Sequence, residues 1–192
     1  MGKDNDIESA GDTPAGLLAE LHGYFQQHPV TGPAGHSYIA AGSRPTMVHA
    51  PAPGNTNWGV IEHIGRTVGE VDQFTRKANP AATEPPAHVA AVYEWCVENT
   101  QNAPEDVQQR RDALMYRQQL EHAIAMGDKD VVRPHRCPGC NTFGLVWDRR
   151  TLSVRCTNRR CLGEDGLSTT WTLARLAHEH VIAQKSLRVR AT

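Results

Sequence analysis

The chain of 192 residues is poor in aromatic side chains, which make up 6% of the sequence, and its hydrophobic residues reach only 39%. A chain of this length can bury a core, but this hydrophobic content is low for a single large one. Twelve prolines and sixteen glycines also indicate sizeable irregular connections. The composition therefore favours a domain joined to a smaller module.

Long apolar stretches and enzyme signatures are missing as well. No run approaches the roughly 20 apolar residues that a helix needs to span a bilayer, and residues 1–12 are acidic, unlike a signal peptide. We therefore expect a cytoplasmic protein without membrane contact. The sequence contains no GxSxG, Walker or dinucleotide-binding fingerprint and no ordered acid-base pair. Neither an enzymatic activity nor a small-molecule substrate is predicted.

Lysine is scarce, with four residues against sixteen arginines. This bias, together with abundant alanine, resembles the composition of proteins from actinobacteria and their phages. The charges are also unevenly placed: residues 1–128 carry 8 basic and 16 acidic side chains, whereas residues 129–192 carry 12 and 5. Such a split predicts either that the basic part meets a polyanion or that the two parts attract each other.

Four of the five cysteines lie within 25 residues, as one pair at Cys137 and Cys140 and, after fifteen residues, a second pair at Cys156 and Cys161. A hairpin can bring two such pairs together at the corners of a tetrahedral zinc site. In a reducing compartment clustered cysteines are more typical of metal ligands than of disulfides. We predict one structural Zn²⁺ per chain. Because all four ligands are cysteine, no position remains for a water molecule, which argues against zinc hydrolysis.

Alternatives to this zinc site remain open at the level of the sequence. The cysteines could bind iron, as in rubredoxin-like sites, or Cys137 and Cys140 could cycle as a redox dithiol, although the βαβ context of a thioredoxin motif is missing. His135 is a possible substitute ligand, but it lies very close to Cys137. The fifth cysteine, Cys96, falls on an apolar helix face and is predicted to be a small buried hydrophobic residue.

Residues 136–171, with both cysteine pairs and a predicted hairpin between them, resemble a zinc ribbon. The resemblance implies that each pair lies on a tight turn, or knuckle. Many ribbons have glycine after the second cysteine, where this chain has Asn141, which tolerates a left-handed backbone better than most residues. The second pair is separated by four residues instead of two, so a longer loop is expected there. About 35 residues cannot fold unaided, and chelation is expected to unfold the C-terminal part and spare the preceding helices.

Arginine gives this module a candidate activity, because its planar guanidinium group matches phosphate oxygens. The predicted contacts are at the hairpin tip, on the second strand and in the second knuckle, namely Arg149, Arg150, Arg155, Arg159 and Arg160. We expect a non-enzymatic nucleic-acid-binding protein with an accessory or regulatory role, in which Trp147 offers a stacking face or fills the core. In the alternatives, the arginines pair with the acidic residues of 1–128, or the chain is a protein-interaction adaptor with a purely structural ribbon. An enzyme using loop 29–57 as a lid has little support in the sequence.

Proline punctuation and apolar periodicity predict an α+β fold, a helical bundle followed by a three-stranded zinc ribbon and a terminal helix. The predicted helices span residues 14–27, 57–78, 87–99, 105–126 and 173–184, and the predicted strands lie near residues 143–147, 152–156 and 168–171. The expected organisation is a disordered lead-in at 1–12, a helical domain at 13–128 with a Pro/Gly-rich loop at 29–57, a ribbon with its helix at 129–185 and a basic tail at 186–192.

Overall fold

The computed structural model describes residues 14–27 and 58–190. The lead-in expected at residues 1–12 and the long loop expected at residues 29–57 lie outside the described residues, as does Asn57, the first residue of the second predicted helix.

In the described part of the chain, five α-helices and one small antiparallel sheet confirm the predicted α+β class. The helices are α1 (Pro14–Gln27), α2 (Trp58–Ala78), α3 (Val89–Thr100), α4 (Glu105–Ala125) and α5 (Leu173–Arg190), and the strands are β1 (Leu145–Asp148), β2 (Ser153–Cys156) and β3 (Thr170–Trp171). Proline precedes or opens several helices because it fits the first helical turn, as at Pro14 and Pro104. None of the helices in the described part of the chain is both long and apolar enough to cross a membrane.

The chain divides into two compact units, and the first contains α1, α2 and α3 as far as Asn99. Aromatic rings form part of its core: Tyr24 of α1 stacks on Tyr93 of α3 at 4.6 Å, and Phe25 meets the same ring edge-on at 5.6 Å. Cys96 is fully buried in this unit, as its place on an apolar helix face predicts. Helix α2 supplies the buried Val71.

Of the described residues, the second unit contains those from Thr100 onward, and it therefore includes α4 as well as the cysteine-rich hairpin and α5. The sequence-based division after residue 128 groups α4 with the preceding helices instead. The difference arises because α4 packs against α5. Tyr116 and Leu120 of α4 share one hydrophobic core with Leu173 and Leu176 of α5.

The sheet of the second unit has the order β1-β2-β3. Asp148 pairs with Ser153, which leaves residues 149–152 as a four-residue hairpin loop. Val154 and Cys156 are buried, whereas Arg155 between them is exposed, as expected from the alternation of side chains along a strand. Gly144 precedes β1 with a φ of 113°, and a Cβ atom there would lie only 2.6 Å from the hydroxyl oxygen of Thr157.

Helix α5 continues to Arg190. Residues 186–190, expected to belong to a basic tail, are therefore helical. A 3-10 turn at Asp130–Val132 leads from α4 towards the first cysteine pair, and its Val132 is fully buried in the same core.

Candidate metal centre

The four paired cysteines converge at one point of the second unit. Their Sγ atoms all lie within 4.8 Å of one another. Cys137 Sγ is 3.7 Å from Cys161 Sγ, and Cys140 Sγ is 3.7 Å from Cys156 Sγ. Four metal–sulfur bonds of about 2.3 Å at tetrahedral angles require sulfur–sulfur distances of about 3.8 Å. Two of the sulfur–sulfur distances therefore match a tetrahedral metal ion, and all four predicted cysteines lie close enough together to hold one ion.

The first knuckle is a tight turn closed by backbone hydrogen bonds. The Cys137 N–H donates to the Thr142 carbonyl at 2.8 Å, and the Asn141 N–H donates to the Cys137 carbonyl at 2.8 Å. Asn141 has a φ of 56°. It therefore occupies the left-handed conformation that asparagine was expected to tolerate at this position. A Cβ atom on Gly139 would lie 3.0 Å from the ring of Trp171. The absence of a side chain at residue 139 thus lets the tryptophan cover the turn.

The second knuckle holds its longer loop with side-chain and strand contacts. The Asn158 carbonyl accepts from the Cys161 N–H at 2.9 Å, and the Asn158 side-chain oxygen accepts from the Arg160 N–H at 3.0 Å. The Cys156 N–H donates to the Thr169 carbonyl at 3.0 Å, and the Thr169 N–H donates to the Cys161 carbonyl at 3.1 Å. Thr169, directly before β3, is therefore hydrogen-bonded to both ends of the loop, and these bonds compensate for the extra length of the loop.

Polar groups around the sulfur atoms favour thiolate at one corner of the cluster. The Thr142 hydroxyl lies 3.1 Å from Cys140 Sγ, and the Asn158 amide donates to the same sulfur at 3.6 Å. The contact with Thr142, followed by the weaker one from Asn158, lowers the pKa of the Cys140 thiol to about 6. Burial instead raises the pKa of the Cys156 thiol to about 12. Without a cation, four closely spaced thiols cannot all ionise easily, because their negative charges would repel one another. A bound metal ion would offset this repulsion.

The metal centre is part of the hydrophobic core. Cys137, Cys156 and Cys161 are buried, and they pack in one cluster with side chains of α4, the hairpin and α5. Trp147 is partly buried and packs against this cluster, in agreement with a core role for that ring. The ligands are thus held by the same contacts that join the helices to the sheet.

His135 makes contacts that do not fit a metal ligand. Its Nδ1 lies 3.1 Å from the Val132 carbonyl, so Nδ1–H is the donor and Nε2 accepts from the Tyr116 hydroxyl at 2.6 Å. Burial lowers the pKa of His135 to about 4, which keeps the ring neutral. His180 stacks on Tyr116 with ring centroids 4.2 Å apart. His135, which the sequence left open as a substitute ligand, is therefore engaged in an aromatic cluster with Tyr116 of α4 and His180 of α5.

The five predicted arginine contacts are all exposed. Within residues 14–27 and 58–190, none of the five guanidinium groups forms an ion pair with a carboxylate. They occupy three places in the fold: the hairpin loop at one end of β2, the outward face of β2 and the loop between Cys156 and Cys161. Arg149 and Arg150 lie in the hairpin loop, Arg155 lies on β2, and Arg159 and Arg160 lie in the loop between the two cysteines.

Several positioning residues were missed by the sequence analysis. Thr142 and Asn158 contact the sulfur of Cys140, and Tyr116 fixes the orientation of His135. A polar residue one or two positions from a cysteine ligand is a signal that could have pointed to Thr142 and Asn158. Nothing in the sequence singles out Tyr116, because it lies 19 residues away from its partner.

Comparison of the chain with protein families, with curated proteins and with solved structures gave no match.

Proposed function

We propose that the chain is a non-enzymatic nucleic-acid-binding protein with an accessory or regulatory role, whose four-cysteine centre holds one structural Zn²⁺. The observation that carries the proposal is the set of five exposed arginines without carboxylate partners in the described part of the chain. They belong to a segment, residues 129–192, in which basic side chains outnumber acidic ones by 12 to 5. Such a surface favours phosphate binding.

Other basic residues of the same unit behave differently, which separates the five arginines from a general excess of charge. Arg133 pairs with Asp130 at 2.9 Å, and Arg175 contacts Glu179 at 2.6 Å. Arg136 donates to the Asn141 carbonyl at 3.0 Å and lies 4.5 Å from the ring centre of Phe143. Their guanidinium groups stabilise the module itself, whereas those of the five are directed to no carboxylate within it.

The donor set supports zinc in a structural role. Four thiolates saturate a tetrahedral ion and leave no place for a substrate or a reactive water, and Cys137, Cys156 and Cys161 are buried. When bound, the ion would neutralise thiolate charge and tie the two knuckles together. The hairpin loop, β2 and the second knuckle would then present the arginines on a fixed frame. Elemental analysis of protein purified without added metal is expected to find about one zinc and no iron per chain.

The test of nucleic-acid binding is its dependence on salt. Affinity for a labelled DNA duplex of mixed sequence should fall steeply as salt rises, and the double variant R149A/R150A should reduce the log–log slope by about 2, since each duplex phosphate contact contributes about 0.9. The matched control is the double variant R133A/R175A, which removes the same two charges at exposed positions that already have a carboxylate partner. It should leave the slope close to that of the unmodified protein.

Two results would overturn the proposal: no binding of DNA or RNA at low salt, or binding that does not change with salt. Recovery of a stable protein partner after nuclease treatment, in a preparation that binds no nucleic acid, would instead favour the protein-interaction adaptor.

A further inference from the structure

One five-residue pattern occurs twice in the second unit. Residues 148–152 read Asp-Arg-Arg-Thr-Leu and residues 158–162 read Asn-Arg-Arg-Cys-Leu, ten positions apart. Each begins with an Asp or Asn, continues with two arginines and ends with leucine after one intervening residue. We name these segments the two Arg-Arg turns. They contain four of the five arginines assigned above to phosphate binding.

The two segments also share a local structure. The side-chain oxygen of Asp148 accepts the Arg150 N–H at 2.8 Å, and the side-chain oxygen of Asn158 accepts the Arg160 N–H at 3.0 Å. Both are turns in which an Asp or Asn side chain mimics the backbone and fixes the next two residues. The same residues in the same turn therefore present an arginine pair and a following leucine at both places.

The leucines of the two Arg-Arg turns are exposed to solvent. Leu152 is 71% exposed and Leu162 is 53% exposed. Leu152 also has a φ of 48°, in a region where glycine or asparagine would be far less strained. A large apolar side chain at such a position stabilises neither the core nor the turn. Its presence is better explained by a contact with a partner than by a requirement of the fold.

Strand β2 separates the two Arg-Arg turns. Its residues, Ser153–Cys156, span about 10 Å at the usual rise of about 3.3 Å per residue. Arg155 lies on the exposed face between them. A backbone that carries a phosphate at regular intervals can meet cations at both ends of such a strand, whereas a single small anion cannot.

We infer that Leu152 and Leu162 make apolar contacts with the bases or sugars of a nucleic acid whose phosphates are held by the two Arg-Arg turns. The inference rests on the proposed function and adds to it a part of the interface that does not depend on charge. Apolar side chains make such contacts with thymine methyl groups or between base steps. The arginines determine the salt dependence of binding, and the leucines add affinity that persists at high salt.

The experiment compares Leu152→Gly and Leu162→Ser with Leu167→Ser in the full chain, using a labelled DNA duplex at several salt concentrations. Leu167 is the control because it is 67% exposed and lies in a similar turn, in which its N–H donates to the side chain of Asp165 at 3.0 Å, but that turn contains no arginine. Each of the first two variants should bind about tenfold more weakly at every salt concentration, with an unchanged slope, whereas Leu167→Ser should bind like the unmodified protein.

Misfolding is separated from loss of contact by two further measurements. Leu152→Gly should melt at the same or a higher temperature, because glycine relieves the left-handed backbone, and Leu162→Ser should retain its metal. Salt-dependent binding by the unmodified protein, together with leucine variants as tight as Leu167→Ser, would overturn this inference and leave the proposed function standing. An unmodified protein that binds no nucleic acid would overturn both.

Discussion

Removal of the metal is expected to unfold two helices together with the hairpin. The core that contains Cys137, Cys156 and Cys161 also contains side chains of α4 and α5. Among residues 14–27 and 58–190, the five helices contain 86 residues, and α4 and α5 hold 39 of them. Because structural zinc sites contribute folding energy directly, loss of the ion should remove up to about 45% of the helical circular dichroism signal at 222 nm.

The expected size of the metal contribution is the reason why we expect the helices to unfold when the ion is lost. Structural zinc adds an apparent free energy of about 10–16 kcal/mol, which is comparable with or larger than the total stability of a domain, about 5–15 kcal/mol. Without the ion, buried thiols that are spaced for coordination would line the centre of the core. This changes the expectation from sequence, in which chelation spares every helix before residue 128, because α4 depends on the same core.

The assay follows ellipticity and bound metal while a chelator is titrated into reduced protein at neutral pH. Cys96→Ala serves as the control, since Cys96 is buried outside the cluster and its replacement should leave both metal content and response unchanged. A protein that has lost its metal but keeps more than about nine-tenths of its helical signal would show that α4 and α5 pack without the centre, and would refute the reasoning.

Two substitutions near the centre test its supporting contacts. Tyr116→Phe removes the hydroxyl that donates to His135 Nε2 at 2.6 Å and leaves a buried acceptor without a partner. The free energy of unfolding should therefore fall by about 1–3 kcal/mol, at unchanged metal content. An unaltered denaturation midpoint would contradict a stabilising role of this hydrogen bond. Asn158→Asp keeps the acceptor of the turn but replaces the N–H donor to Cys140 Sγ, 3.6 Å away, with a negative charge. Metal affinity, measured by competition with a chromogenic chelator, should drop by about 10- to 100-fold, and equal affinity would mean that the contact has no role.

Local structure was largely predictable, because local residues determine it. Proline and the apolar periodicity predicted the helix bounds to within two residues, except at the end of α5, which extends six residues beyond its predicted end, and alternation predicted the hairpin. Asn141 follows the same logic: only a few residue types accept a left-handed backbone, and its φ is 56°. The four cysteines were found because their spacing limits the geometries that the chain can adopt.

The partner of α4 was not predictable, because its buried face is partly polar. Arg111, Gln118 and His122 of this helix are buried, and they interrupt the apolar stripe by which a helix reveals its packing side. Arg111 is accommodated by a hydrogen bond to the Thr100 hydroxyl at 3.1 Å and by Asp112 at 2.7 Å. These contacts form only in the folded chain, so the burial of Arg111 cannot be inferred from the sequence. The repeat of the Arg-Arg turns, by contrast, is present in the sequence and could have been found there.

The two Arg-Arg turns depend on the metal to different degrees. Cys161 lies inside the second turn, directly after Arg160, and Asn158 connects that turn to Cys140 through its amide. The first turn lies at the far end of the hairpin, where Asp148 pairs with Ser153 in the sheet. Loss of the ion would therefore release the second turn directly and the first only through unfolding of the sheet. Under the proposed function, a closed four-cysteine centre would thus control binding without touching the ligand, because it would set the position of one arginine pair relative to the other.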